Sequence, residues 1–274
     1  MEIKDKKQII CFVGLCKNVG KTTFLNKYIK SLESYLITSI GWDGEAFDHL
    51  FGIKKPSIKV KKNTLVCTYS NLKPTNSEKI IDLPIQNYFL GNLCVYRMIE
   101  EDIVQIAGPS SIKQIKILIE QTQKLDNINQ IVLDGAADRR ISLSVADTVY
   151  FIIGPTFSQD KNKITKTIKG IIDLLQIPVL PKDLQNYHEL QSLNSSNINS
   201  LNPNTYYVLE NPGKVIIDYD QIPGLVKKYN FFFLNKPESF FIVVNSFNAD
   251  LMYHSLDPQE IISEFPGLSN IIPI

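Results

Sequence analysis

The sequence predicts an α/β fold with a doubly wound, mainly parallel sheet and an added antiparallel β segment. Short apolar runs rich in branched residues alternate with amphipathic helical segments, an order typical of parallel sheets covered by helices. Glycine or acidic residues follow several of these runs, at the strand ends where open α/β sheets bind their ligands. Between residues 56 and 108 the pattern changes to short β segments with little helix, which indicates the added segment.

The size and composition suit one large domain with an appendage, since the chain has 274 residues and 44% of them are hydrophobic. We expect a core over residues 1–180, with the β-rich insertion at about 56–108. Residues 181–274 are expected to form a C-terminal α/β extension of the same domain. That stretch begins with a polar connection rich in Asn and Ser and continues as short apolar runs separated by prolines.

The charge balance argues against a nucleic-acid or anionic-membrane partner, because 29 basic and 28 acidic residues nearly cancel. No apolar run is long enough to span a bilayer, and the charged N-terminus is unlike a signal peptide. The four cysteines form no C-x-x-C pair, and the three histidines share no ligand spacing with them. We therefore expect reduced thiols, no zinc site and a soluble, cytoplasmic protein.

Residues 9–26, IICFVGLCKNVGKTTFLN, have the pattern of a phosphate-binding loop between a buried strand and a helix. An apolar strand at 9–13 ends at Gly14, and a helix with one apolar face follows from Thr22 to about residue 34. The backbone N–H groups of such a loop, together with the helix N-terminus, can bind phosphate oxygens. The motif narrows the predicted fold to the P-loop NTPase type.

The loop supplies the candidate nucleotide-binding residues. Lys21 would contact the outer phosphates as the candidate catalytic cation, and the Thr22 hydroxyl would bind Mg²⁺. Five residues separate Gly14 from Gly20, one more than in the common motif, and Leu15 stands where the usual first glycine would be. A glycine-rich turn without a ligand is the alternative. The predicted set is Gly14, Lys17, Asn18, Val19, Gly20, Lys21, Thr22 and Thr23, and the nucleotide is expected to be ATP, with GTP still open.

A second short strand, at residues 35–40, ends in the acidic turn Gly-Trp-Asp-Gly-Glu. Two glycines around acidic side chains at a strand's carboxyl end suit a loop near the phosphates. Asp43 is the candidate that holds the metal's water or orients the attacking water, with Glu45 as a substitute for it. A solvated turn is the alternative interpretation, and the upstream phosphate loop favours the functional one.

Residues 131–135, IVLDG, have the pattern of a Walker B strand, an apolar strand of P-loop proteins that ends in an acidic residue. Three branched apolar residues predict a central strand, and Asp134 follows at its carboxyl end. An aspartate there can hold a magnesium-bound water from the side opposite Thr22. An Asx turn that closes the strand is the alternative.

Three further segments extend the alternation of strands and helices. A strand ends before residues 107–111, where Ser110 or Ser111 would cap a helix that reaches about residue 125, and Ser110 is a weak ligand candidate. A strand at 147–153 precedes an amphipathic helix at 158–176. A late apolar strand ends at Asn245, where a polar loop could contact a base, although a structural role is the favoured interpretation.

Four stretches in this order, GLCKNVGKTTFLN, TSIGWDGEAFD, QIAGPSS and VLDGAADRR, resemble the small subunit of the lysine 5,6-aminomutase (ornithine aminomutase) reactivase family. The resemblance covers most of residues 9–176 and fades beyond them. The longer gap with Lys17 and Asn18 inside it is a feature of that family's loop. Members of the family carry arginine where Trp42 stands here, which leaves the role of the Asp43 loop open.

The resemblance implies an ATP-dependent reactivating chaperone for an adenosylcobalamin-dependent aminomutase, working with a larger reactivase subunit. Such a protein uses the nucleotide to open the mutase and exchange a damaged cofactor. From the residues alone, a metabolic enzyme of the dethiobiotin-synthetase or small-molecule kinase type stays open. So does a GTP-binding cofactor-assembly protein, similar to the molybdopterin-guanine-dinucleotide accessory protein. The last alternative, a loop that binds a partner and no nucleotide, conflicts with the intact Gly20, Lys21 and Thr22.

Overall fold

The computed structural model describes residues 6–41, 57–126, 128–135, 139–248 and 252–274. Backbone contacts divide the chain into two compact units. Unit 1 comprises Met1–Gly14 and Gly20–Asp138, and unit 2 comprises Leu15–Val19 and Arg139–Ile274. The described parts are mixed α/β, with mainly parallel strands and a smaller antiparallel portion, as the sequence predicts at this level.

Unit 1 contains eight strands and two α-helices in its described part. Within it, a sheet runs in the order β1-β8-β2-β4-β6-β5. The first four of these strands are parallel, and β6 and β5 are antiparallel. The elements are β1 (Gln8–Gly14), α1 (Lys21–Ile29), β2 (Tyr35–Ser39), β3 (Ile58–Val60), β4 (Leu65–Tyr69), β5 (Ser77–Asn87), β6 (Gly91–Met98), β7 (Asp102–Val104), α2 (Ile112–Thr122) and β8 (Gln130–Asp134).

The core of unit 1 forms where β1, β2 and β8 lie side by side, because nearly all of their residues are buried. Helix α1 packs on this sheet through Phe24, Leu25 and Ile29, and the Phe12 ring lies 5.9 Å from the Phe24 ring. The helix ends at Ile29, five residues before the predicted end. Backbone N–H groups after it bond three residues back, which tightens the chain into a turn.

The antiparallel strands of unit 1 lie within the predicted insertion, but two details differ from the expectation. Strand β4, inside the same stretch, pairs parallel with β2 and so belongs to the parallel part of the sheet. Strand β5 was not predicted. It contains Pro84 and two register irregularities, which break the alternation of apolar and polar residues by which a strand is recognised.

Unit 2 contains three sets of parallel strands in its described part. One runs in the order β18-β15-β9, another joins β10, β12 and β14, and the smallest pairs β11 with β13. Helix α4 lines the core with one apolar face and begins at Lys161, three residues after the predicted start, because Asp160 caps it by accepting from Asn162 N. The elements are α3 (Arg139–Val145), β9 (Thr148–Ile153), α4 (Lys161–Gln176), β10 (Tyr187–Leu190), β11 (Leu193–Asn194), β12 (Tyr206–Leu209), β13 (Val215–Ile216), α5 (Ile222–Lys228), β14 (Asn230–Phe233), β15 (Ser239–Val244), β16 (Phe247–Asn248), β17 (Tyr253–His254), α6 (Pro258–Ile262) and β18 (Ile271–Pro273).

All four cysteines are free thiols, as predicted, and burial raises the pKa of the Cys67 thiol. In the described ranges, no helix has both the length and the apolar character needed to cross a membrane.

The carboxyl end of β2 is held by the segment that precedes α2. Gly41 N donates to Pro109 O at 2.9 Å, and Gly108 N donates to Gly41 O at 3.0 Å. The Ser39 hydroxyl accepts from Gly108 N at 3.0 Å. A Cβ atom at position 108 would lie 1.9 Å from Ser39 O, so only glycine allows this approach. The packing fixes the point from which the predicted Asp43 loop begins.

We expect Gly108→Ala to lower the free energy of unfolding by about 3 kcal/mol, because the methyl group forces the two backbones apart. Gly224→Ala is the matched control, since a Cβ there meets no atom within 4 Å and Gly224 lies in α5. The control should be neutral or stabilising by up to about 1 kcal/mol. Urea unfolding followed by circular dichroism measures both, and equal midpoints would contradict the proposed close packing.

Candidate functional site

The predicted phosphate loop ends in a turn that glycine makes possible. Gly20 is the N-cap residue of α1 and has a φ of 96°, and Asn18 has a φ of 58°. Glycine adopts such angles freely, and asparagine tolerates them better than most residues. Among the described residues, no side chain caps α1, so its first N–H groups remain available to an anion.

Lys21 and Asp134 form an ion pair in unit 1. The Lys21 ammonium donates to Asp134 Oδ1, and the two side chains are only 15% and 7% exposed. The β1–β8 register places Asp134 opposite Phe12, and the β2–β8 register places it opposite Ser39. Lys21 lies just beyond the end of β1, at the same edge of the sheet. The structure thus brings together two residues that the sequence analysis assigned to one site.

The Lys21–Asp134 pair must form with good geometry, because both charged groups are mostly shielded from water. Burying an unpaired carboxylate costs several kcal/mol, whereas a hydrogen-bonded pair recovers much of that cost. Asp134 is also held by the backbone of its strand, since Ile40 N donates to Asp134 O at 2.9 Å and Gly135 N donates to Phe12 O at 2.9 Å. The carboxylate is therefore fixed, and the flexible lysine reaches it.

The other predicted ligands divide into three groups. Thr22 is half-buried and Thr23 exposed, and both lie in the first turn of α1 directly after Lys21. Lys17 is exposed and Asn18 half-buried, in the segment that belongs to unit 2. Asp43 and its substitute Glu45 lie outside the described residues.

The unusual spacing of the loop has a structural explanation in unit 2. Leu15 and Val19 are each 1% exposed, so both side chains are core residues. Leu15 N donates to Ile152 O at 3.0 Å, and Val19 O accepts from Asn245 Nδ2 at 2.9 Å. Leucine at the position of the usual glycine therefore anchors the loop segment by burial.

Asn245 is the site residue whose role the sequence did not reveal. In the sequence it follows an apolar strand, and a structural role was the favoured prediction for it. The structure shows its side chain donating to the loop carbonyl of Val19, 226 positions earlier in the chain. No pattern in the sequence around Asn245 indicates a contact with a residue so far away in the chain.

The serines before α2 act as the sequence predicted for caps. Ser111 is the N-cap residue, and its hydroxyl accepts from Gln114 N at 3.3 Å. Ser110 N donates to Gln114 Oε1 at 2.9 Å. Ser110 is exposed, and its hydrogen bond with Gln114 gives it a capping role that requires no ligand.

The donor set fits magnesium bound together with a polyphosphate. Among the described residues, no group of three or more His, Cys, Asp or Glu side chains gathers to form a metal cage. Magnesium in nucleotide sites takes one or two protein oxygens and completes its shell with phosphate oxygens and water. The Thr22 hydroxyl would bind the metal directly, and the Asp134 carboxylate would hold it through a metal-bound water.

Unit 2 also contains an open cavity of about 330 Å³. It includes none of the predicted site residues. Its lining mixes polar, apolar and aromatic residues, and consists of Asp173, Gln176, Ile177, Pro178, Val226, Tyr229, Asn230, Phe231 and Phe232.

No protein-family model, curated protein or solved structure matches the chain.

The Lys21–Asp134 pair predicts a measurable coupling in the nucleotide-free protein. Lys21→Met should cost about 3 kcal/mol of unfolding free energy, because it removes the cationic partner of a nearly buried carboxylate. Adding Asp134→Asn should recover part of that loss, with a coupling energy of about 1–3 kcal/mol. Urea unfolding of the four proteins in the cycle measures it.

The matched control is the Arg97–Glu78 pair of the same unit, whose N–O distance is 3.0 Å and whose side chains are 47% and 51% exposed. Arg97→Met and Glu78→Gln should show little coupling, because water screens both charges. Strictly additive losses for Lys21 and Asp134 would mean that the two charges do not interact.

Proposed function

We propose that the chain is a P-loop NTPase with a doubly wound core, in which residues 14–23 bind the phosphates of a Mg-nucleotide. The observation that carries the proposal is the Lys21–Asp134 ion pair, which joins the loop lysine to the acidic strand end. Two charges of opposite sign at one sheet edge suit a ligand that carries both charges itself. A Mg-nucleotide is such a ligand.

In this proposal the two residues exchange partners when the nucleotide binds. The Lys21 ammonium would turn from Asp134 to the outer phosphate oxygens. Asp134 would then accept from metal-bound water, and the Thr22 hydroxyl would bind the metal. Magnesium, when bound, supplies neutralisation of phosphate charge. Asp43 is proposed to orient the attacking water, so that Lys21 and Asp43 are the candidate catalytic residues.

The exchange would turn the site into a conformational switch. The ion pair ties the start of α1 to the end of β8, and releasing it frees both elements from that constraint. Nucleotide switches transmit small changes at the phosphate to loops that contact a partner. A chaperone needs such an output, whereas a metabolic enzyme needs a second substrate pocket at the same sheet edge.

We propose that the partner is an adenosylcobalamin-dependent aminomutase, reactivated in the cytoplasm together with a larger reactivase subunit. The motifs that resemble that family support this assignment. An aromatic pair on unit 1 supports a protein partner. Tyr88 and Phe89 are 94% and 78% exposed, and their rings pack against each other at 5.1 Å. Exposed aromatic residues are enriched at protein interfaces.

The turn that carries this pair is held in place. Asn87 Oδ1 accepts from Phe89 N at 2.9 Å, and Asn71 Nδ2 donates to Phe89 O at 2.9 Å. Because the backbone is already ordered, little conformational entropy is lost when the aromatic side chains bind a partner. This arrangement favours the chaperone over a dethiobiotin-synthetase-like ligase, a small-molecule kinase or a GTP-binding cofactor-assembly protein.

We expect Mg-ATP to raise the thermal midpoint of the wild-type protein. At about 100 times the dissociation constant, the nucleotide should add about 2.7 kcal/mol of stability. Lys21→Ala should abolish the shift. Lys27→Ala, an exposed lysine of the same helix, should retain it. A parallel titration with Mg-GTP separates the two bases, and no shift with either would exclude nucleotide binding.

The aromatic pair gives a test of the chaperone function apart from nucleotide binding. Tyr88→Ser with Phe89→Ser should leave the Mg-ATP thermal shift unchanged. The double variant should reduce the reactivation of an aminomutase that holds a damaged cobalamin, by about tenfold or more. Ile103→Ser, at another exposed apolar residue of unit 1, is the control. Full reactivation by the double variant would remove this surface from the partner interface.

A further inference from the structure

Asn245 lies at the end of β15 in unit 2 and is 8% exposed. Both polar groups of its side-chain amide form hydrogen bonds. Nδ2 donates to Val19 O at 2.9 Å, and Oδ1 accepts from Phe247 N at 3.1 Å. An amide that is bonded at both ends has one orientation, which no apolar or purely accepting side chain can reproduce.

The backbone at Asn245 is equally constrained. Asn245 N donates to Ile153 O at 2.8 Å, which continues the β9–β15 ladder by one residue. Gly154 packs so closely that a Cβ there would lie 2.7 Å from Asn245 O. The amide therefore projects from a fixed point of the sheet, and Val19 O is held relative to that point.

Because the peptide bond is planar, the hydrogen bond between Asn245 and Val19 O also sets the orientation of the next N–H group in the loop. Val19 C=O and Gly20 N–H belong to one peptide unit, and in a trans peptide these two groups point in opposite directions. Fixing the carbonyl therefore fixes the direction of the Gly20 N–H. Gly20 is a predicted phosphate ligand, and its φ of 96° sets the entry into α1.

We propose that Asn245 is a positioning residue for the phosphate loop. Its Nδ2 holds the Val19 carbonyl and so aims the Gly20 N–H that binds phosphate in the proposed function, on which this inference rests. Asn245 makes no contact with the nucleotide phosphates in this role. It acts through the peptide that follows Val19.

Asn245→Asp tests the proposal, because the change keeps the shape and the acceptor for Phe247 N while replacing the donor by an oxygen that repels Val19 O. The Kd for Mg-ATP, measured by isothermal titration calorimetry, should rise between tenfold and a hundredfold. Asn245→Ala removes the donor without adding charge and should raise the Kd by a smaller factor. It serves as the second variant if the aspartate variant does not fold.

Asn248→Asp is the matched control. Asn248 is 2% exposed, belongs to the same unit, and donates through Nδ2 to Pro155 O at 3.4 Å, a carbonyl outside the phosphate loop. We expect it to lower the thermal midpoint as Asn245→Asp does, while the Kd for Mg-ATP stays within about twofold of wild type. The ratio of the two Kd values separates loop positioning from general destabilisation.

The outcomes are distinct. If the wild-type protein binds neither Mg-ATP nor Mg-GTP, the proposed function fails and this inference fails with it. If the wild type binds, and folded Asn245→Asp and Asn245→Ala both bind with wild-type affinity, the proposed function stands and the positioning role is wrong. If Asn248→Asp weakens binding as much as Asn245→Asp, the effect is general and the assignment to Asn245 is overturned.

Discussion

The pairing of Lys21 with Asp134 is the constraint on which the candidate site depends. Neither charge is well exposed, so each needs a partner of opposite sign, and the two supply one another. The pair imposes a geometry on unit 1, because the end of β8 and the start of α1 must lie within reach of one lysine side chain. Direct pairing of β1 with β8 meets this requirement, since α1 follows β1 after a single short loop.

The loop itself is positioned by burial and hydrogen bonding. In unit 2, the side chains of Leu15 and Val19 are core residues, and the backbone beside each is bonded to β9 or to Asn245. The loop segment is therefore fixed by two buried side chains, by the Leu15 N–H group and by the Val19 carbonyl, and this explains how leucine can stand at a position where glycine is usual.

Much of the arrangement was predictable from sequence where the physical cause is local. Periodicity located β1, β2, β8, β9 and most of α2 and α4, and the rule that parallel strands end at one edge placed Asp134 near the loop. Strand β5 was missed because Pro84 and its irregular register break the alternation, and the short helices α3 and α5 offer too few turns for periodicity to show. The Asn245 contact spans 226 positions, so only the tertiary fold reveals it.

The ion pair also bears on which ligands the site would prefer. A free phosphate could bind Lys21 only by removing the cationic partner of the nearly buried Asp134 carboxylate, and a free cation at Asp134 would remove the anionic partner of the Lys21 ammonium. Phosphate alone or a cation alone must therefore break the Lys21–Asp134 ion pair in order to bind. A ligand that brings its own cation and anion together satisfies both residues at once, because each residue then faces a group of opposite charge. Under the proposed function, the pair would select for the magnesium complex of a nucleotide over either component separately. That selectivity arises from this chain's own two residues, before any contact to base or sugar is considered.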